Sequence, residues 1–304
     1  MVDTSDEWIL SRTGIRQRHI ADPEMATSDL ATEAARQALA QRGMDPSELD
    51  AIIVCTVTPD MFFPSTACLV QHNLGAKGCW GFDLIAACSG FIYGLTTGAH
   101  LVAAGTHRRV LVIGADTMSR IVDYTDRATC VIFGDGAGAL LLEPTEDDNL
   151  GFIDFLGEID GSGGPFLNMP AGGSRMPASA ETVEKRLHFV HQEGQQVFKF
   201  AVRKMYEVCR DLLARNNVKP EEIRLLIPHQ ANRRIITATA DRLGLNGDRV
   251  VINIEDYGNT TSGTLPLATR DAVSSGRLHK GDLVLFAAVG AGYTVGASLW
   301  RWAY

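Results

Sequence analysis

Cys88 stands in the stretch FDLIAACSGFIYG (82–94). Phe82, Leu84 and Ile85 read as a short buried strand, and the segment from Cys88 through Ala104 reads as a helix, so the thiol lies at a strand-to-helix junction. Unpaired N–H groups at a helix N-terminus favour a thiolate. A thiolate attacks thioesters and esters to give an acyl-enzyme. Two further stretches carry suitable partners. His229 follows the apolar run IRLLI in PHQANRRI (228–235), and Asn259 sits in the turn GNTTSGT (258–264) that opens another helix. His and Asn both donate hydrogen bonds to a developing oxyanion, and Asn cannot act as a base, so the pair suits charge stabilisation rather than proton abstraction. The glycine-rich AVGAGYTVGA (288–297) offers a backbone N–H for a second oxyanion site beside that of Cys88.

Each of these residues also has a plain structural reading. Most cysteines are inert core residues, the reading taken for Cys55, Cys68, Cys79, Cys130 and Cys209, and position alone leaves Cys88 open between nucleophile and small hydrophobe. A lone His after a strand, or an Asn in a Gly-Asn turn, is commonly structural. His188 and His191 have a metal-site spacing without a third ligand and read as surface helix residues. FGDGAGALLL (133–142) lacks the Lys of a phosphate loop and the Rossmann spacing, and reads as a tight turn feeding a buried strand.

The elements that must position these groups repeat at about 172 residues. ATEAARQALAQRGMDPSELDAIIVCTVTP (31–59) gives an amphipathic helix, a turn at Asp45-Pro46 and an apolar β-rich run; VRKMYEVCRDLLARNNVKPEEIRLLIPHQ (202–230) repeats that order around Pro220. CSGFIYGLTTGAHLVAAGTHRRVLVIGA (88–115) is matched by TSGTLPLATRDAVSSGRLHKGDLVLFAA (261–288), where a Ser-Gly opens a helix and a run of Val, Leu and Ile follows. Continuous apolar strands alternating with helices indicate sheets covered on both faces. Two similar α/β halves, 1–146 and 147–304, follow, with Cys88 in the first and His229 and Asn259 in the second, at strand ends that face a shared cavity. The second half opens with an apparent strand, LGFIDFLGEIDG (150–161), that has no counterpart in the first, so true copies imply an N-terminal strand absent from this sequence. The glycine-rich connection 157–179 is long enough to be functional or mobile.

At 304 residues, 45% hydrophobic and 21% charged, the composition is that of a globular protein. A net charge of −8 argues against a nucleic-acid binder. No apolar run is long enough to span a membrane, and the N-terminus shows no signal peptide. Six cysteines without a CxxC pair suggest reduced thiols in the cytoplasm, with neither disulfide framework nor metal site.

AACSGF, PHQAN, YGNTTSGT and the opening DTSDEWILSRTGIRQRH together resemble bacterial β-ketoacyl-acyl-carrier-protein synthase III, the initiating condensing enzyme of type II fatty-acid synthesis, over nearly the whole chain. The resemblance implies a thiolase-like α/β fold, two duplicated halves in a five-layered αβαβα arrangement. Family members begin with a strand and a Gly-rich turn upstream of DTSDEWI, both lacking here. By motif, Cys88 would accept the acyl group from a coenzyme A thioester, most simply acetyl-CoA. His229, neutral and with a lowered pKa, and Asn259 would hold the malonyl thioester carbonyl of malonyl-acyl carrier protein as carbon dioxide leaves. The N–H groups of Cys88 and Ala291 would form the other oxyanion site, Ala291 standing where the family has glycine. Trp8, Arg12 and Arg127 match contacts to the adenine of coenzyme A, and Asn232 one to the pantetheine arm. Arg234, with Lys199 and Arg242, resembles a basic surface for the acidic carrier protein; Phe63 in MFFPSTAC matches a residue reaching into a partner subunit's acyl pocket, implying a homodimer. No cofactor is implied, coenzyme A being part of the substrate.

Other enzymes of the same fold remain as alternatives, including a polyketide synthase or one using a specialised starter. A degradative thiolase would need a second Cys in 288–297, which has none, and a hydroxymethylglutaryl-type synthase an acidic base with no motif match. A papain-like cysteine hydrolase and a non-catalytic carrier-protein-binding paralogue are the readings from different classes.

Overall fold

A computed structural model describes residues 2–304. Its first part runs α1 (Asp6–Thr13), α2 (Thr27–Arg42), β1 (Ala51–Cys55), α3 (Thr66–Leu74), β2 (Trp80–Leu84), α4 (Gly90–Ala103), β3 (Val110–Asp116), α5 (Arg127–Cys130) and β4 (Gly136–Leu142). The second runs β5 (Gly151–Ile159), β6 (Leu167–Asn168), α6 (Ala180–Glu184), β7 (His191–Gln192), α7 (Gly194–Arg215), β8 (Leu225–Pro228), α8 (Arg233–Arg242), α9 (Ile254–Tyr257), α10 (Thr264–Ser274), β9 (Leu283–Gly290) and β10 (Thr294–Arg301).

Two four-stranded sheets form, in the orders β2-β1-β3-β4 and β5-β10-β9-β8. β1 is parallel to β2 and β3, β4 is antiparallel to β3; in the second sheet β8 is parallel to β9, and β10 is antiparallel to β9 and β5. β1, β3, β8 and β9 are buried along their whole length, which is why they read as unbroken runs of Val, Ile, Leu and Ala. A single short turn around Pro46 or Pro220 leads into β1 or β8, so the repeat is one of elements as well as letters.

α4 and α10 fill the space between the sheets. Ile53, Phe91, Ile92, Leu95 and Val112 from the first part pack there with Leu225, Ile227, Leu265 and Phe286 from the second. α4 can lie flush on β1 because Gly94 has no Cβ; one there would run into the Cys55 sulfur. α2 and α3 cover the outer face of the first sheet, and α7 and α8 pack over the second through Met205, Leu212 and Ile236. The layers are therefore helix, sheet, helix pair, sheet, helix, with both strand sets ending at the central pair.

Some expectations need correcting. β2 is a half-buried edge strand, with Trp80 48% exposed, and Ile85 beyond it is 73% exposed. Position at a sheet edge, which a short window does not register, sets this. β4 is half-buried along its length for the same reason, having β3 as its one partner among the described residues. His188 lies in a turn and His191 in the two-residue β7, so neither is helical. Cys55 and Cys209 are core residues, but Cys68 is exposed on α3, and Cys79 and Cys130 are half-buried. The connection after β5 is built rather than open: a short helical segment, Gly161–Phe166, then the β6–β7 hairpin. Among the described residues no helix is long and apolar enough to cross a membrane.

Candidate active site

Cys88 lies in a single 3-10 turn, Ala87–Ser89, that runs straight into α4. Ala87 holds φ +46°, a left-handed conformation that costs a Cβ-bearing residue on the order of 1 kcal/mol and here aims the turn at the second sheet. Two hydroxyls pin it: Thr294 Oγ1 donates to the Ala86 carbonyl at 2.9 Å, and Ser89 Oγ donates to the Thr294 carbonyl at 3.1 Å. Among the described residues the Cys88 N–H has no protein oxygen as acceptor. A Cβ at Gly290 would stand 2.8 Å from that nitrogen, so glycine at the end of β9 keeps the space beside the amide open. Ala291 follows with an ordinary negative φ, and the left-handed position of this turn is Gly292, at φ +137°. Cys88 is 6% exposed; burial first, and Asp116 to the extent that it is ionised, push the thiol up to about 12. The resting group is therefore a neutral thiol, and the pull of the helix terminus does not offset its desolvation.

His229 and Asn259 are both buried, and one turn holds the back of each side chain. The Thr261 N–H donates to Asn259 Oδ1 at 2.9 Å, which fixes the amide with Nδ2 as the free donor. The Thr264 hydroxyl lies 2.7 Å from His229 Nδ1 and 3.0 Å from the Thr261 carbonyl. Among the described residues His229 Nε2 is buried without a partner. Burial lowers the imidazole pKa to about 3, so the ring is neutral at physiological pH. Gln230 secures the His229 loop, donating to the Pro228 and Val251 carbonyls and accepting from the N–H groups of Asn253 and Ile254. The turn Thr261–Gly263 packs against the Cys88 turn, which brings the two halves' motifs to one place.

Asp116, fully buried at the end of β3, ties this region together. Its Oδ1 accepts from the Val57 N–H at 2.8 Å and from the hydroxyls of Thr56 and Thr58 at 3.0 and 3.1 Å. Its Oδ2 accepts from the Ser262 N–H at 3.1 Å and lies 2.6 Å from Ser262 Oγ, itself 2.6 Å from the Cys55 carbonyl. One hydroxyl proton cannot serve both oxygens. Burial raises the Asp116 pKa, and a neutral carboxyl donating to Ser262 Oγ satisfies both contacts.

The remaining sites lie on the surface. The Arg127 guanidinium stands 5.0 Å over the exposed Trp8 ring, so these two do come together. Asn232 caps α8 by accepting from the Arg234 N–H at 2.9 Å, and its Nδ2 donates to the Arg12 carbonyl at 3.2 Å; both ends of this amide thus serve the fold. Arg234 lies over Phe198 and Arg242 over Tyr206, with Lys199 exposed on the same α7–α8 surface. A cleft of about 390 Å³ opens between α1 and α8, lined in part by Arg233 and Arg234. Phe62 and Phe63 are 83% and 85% exposed. Thr264, Gly290 and Asp116 were not singled out by sequence. Asp116 carried a readable signal, a carboxylate closing an apolar strand, whereas the other two act only through residues distant in the chain.

Duplicated α/β halves, with a buried cysteine opening one inner helix and a buried His and Asn beside the other, define a thiolase-like enzyme. Comparison with known proteins narrows this. Residues 82–161 match the family model for 3-oxoacyl-[acyl-carrier-protein] synthase III, and residues 213–302 match the model for its C-terminal part. The chain is 76% identical over 306 residues to β-ketoacyl-[acyl-carrier-protein] synthase III of Solibacter usitatus, and 57% over 305 residues to that of Koribacter versatilis, in each case covering 100% of this chain and 92% of the relative. The crystal structure of the synthase III from Thermus thermophilus superposes with a TM-score of 0.92 at 42% identity, over 100% of this chain and 92% of the other. That from Aquifex aeolicus gives 0.90 at 45%, over 99% and 92%. The chain belongs to the β-ketoacyl-[acyl-carrier-protein] synthase III family. It is an acyltransferase, a condensing enzyme that initiates fatty-acid synthesis.

Proposed function

We propose that the chain transfers a short acyl group, acetyl first, from coenzyme A to Cys88 and condenses it with malonyl-acyl carrier protein. One observation carries this: three donors, the Cys88 N–H, His229 Nε2 and Asn259 Nδ2, lie in the buried region where the halves meet and have no protein acceptor among the described residues. Unpaired buried donors are costly unless a substrate oxygen meets them.

In the first half-reaction the Cys88 sulfur attacks the thioester carbonyl. The developing oxyanion rests on the N–H groups of Cys88 and Ala291, and coenzyme A leaves as the thiol, taking up the proton that the buried cysteine gives up as it attacks. In the second, the malonyl thioester oxygen accepts from His229 Nε2 and Asn259 Nδ2. Carbon dioxide departs, the C–C bonding pair becomes an enolate, and its carbon attacks acyl-Cys88. The acyl–sulfur bond breaks, giving the β-ketoacyl carrier protein and a thiolate that regains a proton. Neutral imidazole serves as donor here throughout the physiological pH range, in keeping with its lowered pKa.

On this reading Trp8, Arg12 and Arg127 hold the adenine end of coenzyme A, with the Arg127–Trp8 stack in support. The pantetheine arm passes Asn232, whose amide reaches it by releasing one of its present bonds. Arg234, Lys199 and Arg242 face the acidic carrier protein. The exposed Phe62, Phe63 and Ile85 favour pairing with a second copy, Phe63 entering the partner's acyl site, and the enzyme works in the cytoplasm with these substrates.

Intact-protein mass spectrometry after incubation with acetyl-CoA tests the reading. One acetyl group is gained, is lost in Cys88→Ala, and is discharged by malonyl-acyl carrier protein. No adduct with any acyl-CoA would refute the proposal.

A further inference from the structure

We propose that Thr264 is a positioning residue that sets the tautomer of His229, holding the imidazole proton on Nε2 so that the ring donates to the substrate carbonyl. This rests on the reading of His229 as a donor given above.

The protons at this contact can be counted. The Thr264 hydroxyl has one, and two acceptors face it: His229 Nδ1 at 2.7 Å and the Thr261 carbonyl at 3.0 Å. Thr264 is 2% exposed, so solvent does not supply a second donor. Two arrangements are possible. If Thr264 donates to the Thr261 carbonyl, Nδ1 must carry the ring proton and donate to Thr264. Nε2 then presents a bare lone pair. If Thr264 donates to Nδ1, the ring proton is on Nε2 and the free nitrogen is a donor.

Three features select the second. The ring contact is the shorter of the two. An imidazole nitrogen is a stronger base than an amide carbonyl, so the hydroxyl prefers it. Asn259, held by the same turn, is already fixed as a donor, because the Thr261 N–H occupies its Oδ1. An oxygen shared by Asn259 and His229 would meet repulsion from an Nε2 lone pair and attraction from an Nε2–H. The chain Asn259, Thr261, Thr264, His229 thus aligns two donors through one turn, and a single hydroxyl decides whether the second is a donor at all.

The test uses the full chain carrying 15N-labelled histidine. Two-bond proton–nitrogen correlation distinguishes a protonated from a bare ring nitrogen, and His229→Ala identifies the signal. The expected parent spectrum has Nε2 protonated; Thr264→Ser keeps it, and Thr264→Val moves population to the Nδ1–H form. In kinetics, Thr264→Val slows malonyl decarboxylation and condensation ~10–100-fold while acetyl transfer to Cys88 stays within about twofold, and Thr264→Ser restores condensation. A bare Nε2 in the parent, or a Thr264→Val protein with unchanged tautomer and unchanged condensation, overturns the proposal. Equal loss of both half-reactions in the Val and Ser variants also overturns it, since that marks a packing role. If His229→Ala itself condenses normally, the reading of His229 as a donor fails instead, and the tautomer remains readable in the parent spectrum.

Discussion

In the first half of the molecule the turn Ala87–Ser89 opens α4, and in the second the turn Thr261–Gly263 opens α10. The sequence repeat aligns CSG with TSG, so Thr261 occupies the place of Cys88. On the proposed reading the side chain at this place in the first half reacts. In the second it is the backbone that acts, the Thr261 N–H holding Asn259 and its carbonyl facing Thr264. The serines that follow are used alike: Ser89 donates across to the Thr294 carbonyl of the second sheet, and Ser262 reaches the Cys55 carbonyl of the first. Duplication thus supplied two equivalent helix openings. On the proposed reading one carries covalent chemistry and the other carbanion stabilisation, while the reciprocal serine bridges hold the two turns together.

That division can be broken experimentally. The largest effect belongs to Cys88→Ala, which abolishes acetyl transfer yet leaves decarboxylation of malonyl-acyl carrier protein measurable by release of carbon dioxide. Asn259→Ala does the converse: acetyl-Cys88 still forms, and condensation falls ~10²–10³-fold, the usual cost of one oxyanion donor. If one variant removed both half-reactions, the halves would not divide the chemistry as described. Gly290→Ala puts a Cβ 2.8 Å from the Cys88 nitrogen and slows acetyl transfer ~10–100-fold in a stopped-flow assay with acetyl-CoA. The serine bridges give the smaller effects, read by denaturant titration. Ser262→Ala costs about 2–3 kcal/mol because it leaves buried Asp116 and Cys55 oxygens under-satisfied, and Ser89→Ala costs about 1 kcal/mol for one bond.

Titration offers another contrast. His229 has an ordinary pKa of 6.5 when unfolded and about 3 in the folded state, so below pH 6.5 the unfolded chain binds a proton that the native site refuses. Its contribution to stability is complete above that value and declines by up to about 1.4 kcal/mol per pH unit as pH falls toward 3. Cys88 runs the other way, its folded value of about 12 lying above the ordinary thiol value of 9.0; its contribution is present below pH 9 and is lost as pH rises toward 12. Denaturation midpoints of His229→Gln and Cys88→Ser against pH should lose these slopes separately.

Cys88, His229 and Asn259 stand out in the sequence because each lies where the local pattern says strand end or helix start, and the structure buries all three. The duplicated layers were legible for the same reason, since buried parallel strands show as unbroken apolar runs. What escaped was whatever depends on the neighbour across space. The Cys68 and Ile85 side chains sit in windows that look like core, and their exposure follows from α3 and β2 lying toward one edge of the first sheet. The partnership of Thr264 with His229 joins residues 35 apart, and that of Ser262 with Asp116 joins residues 146 apart. Nothing in either local pattern announces the contact.

The buried carboxyl of Asp116 also bears on how the molecule comes apart. It is bonded at once to the loop after β1 and to the turn before α10, so separating the halves would leave a desolvated acid with half its partners. Opening at this seam therefore breaks the Ser262 contacts of a buried acid and is disfavoured. The amides of Val57 and Ser262, both bonded to Asp116, should be among the slowest in the molecule to exchange with solvent deuterium.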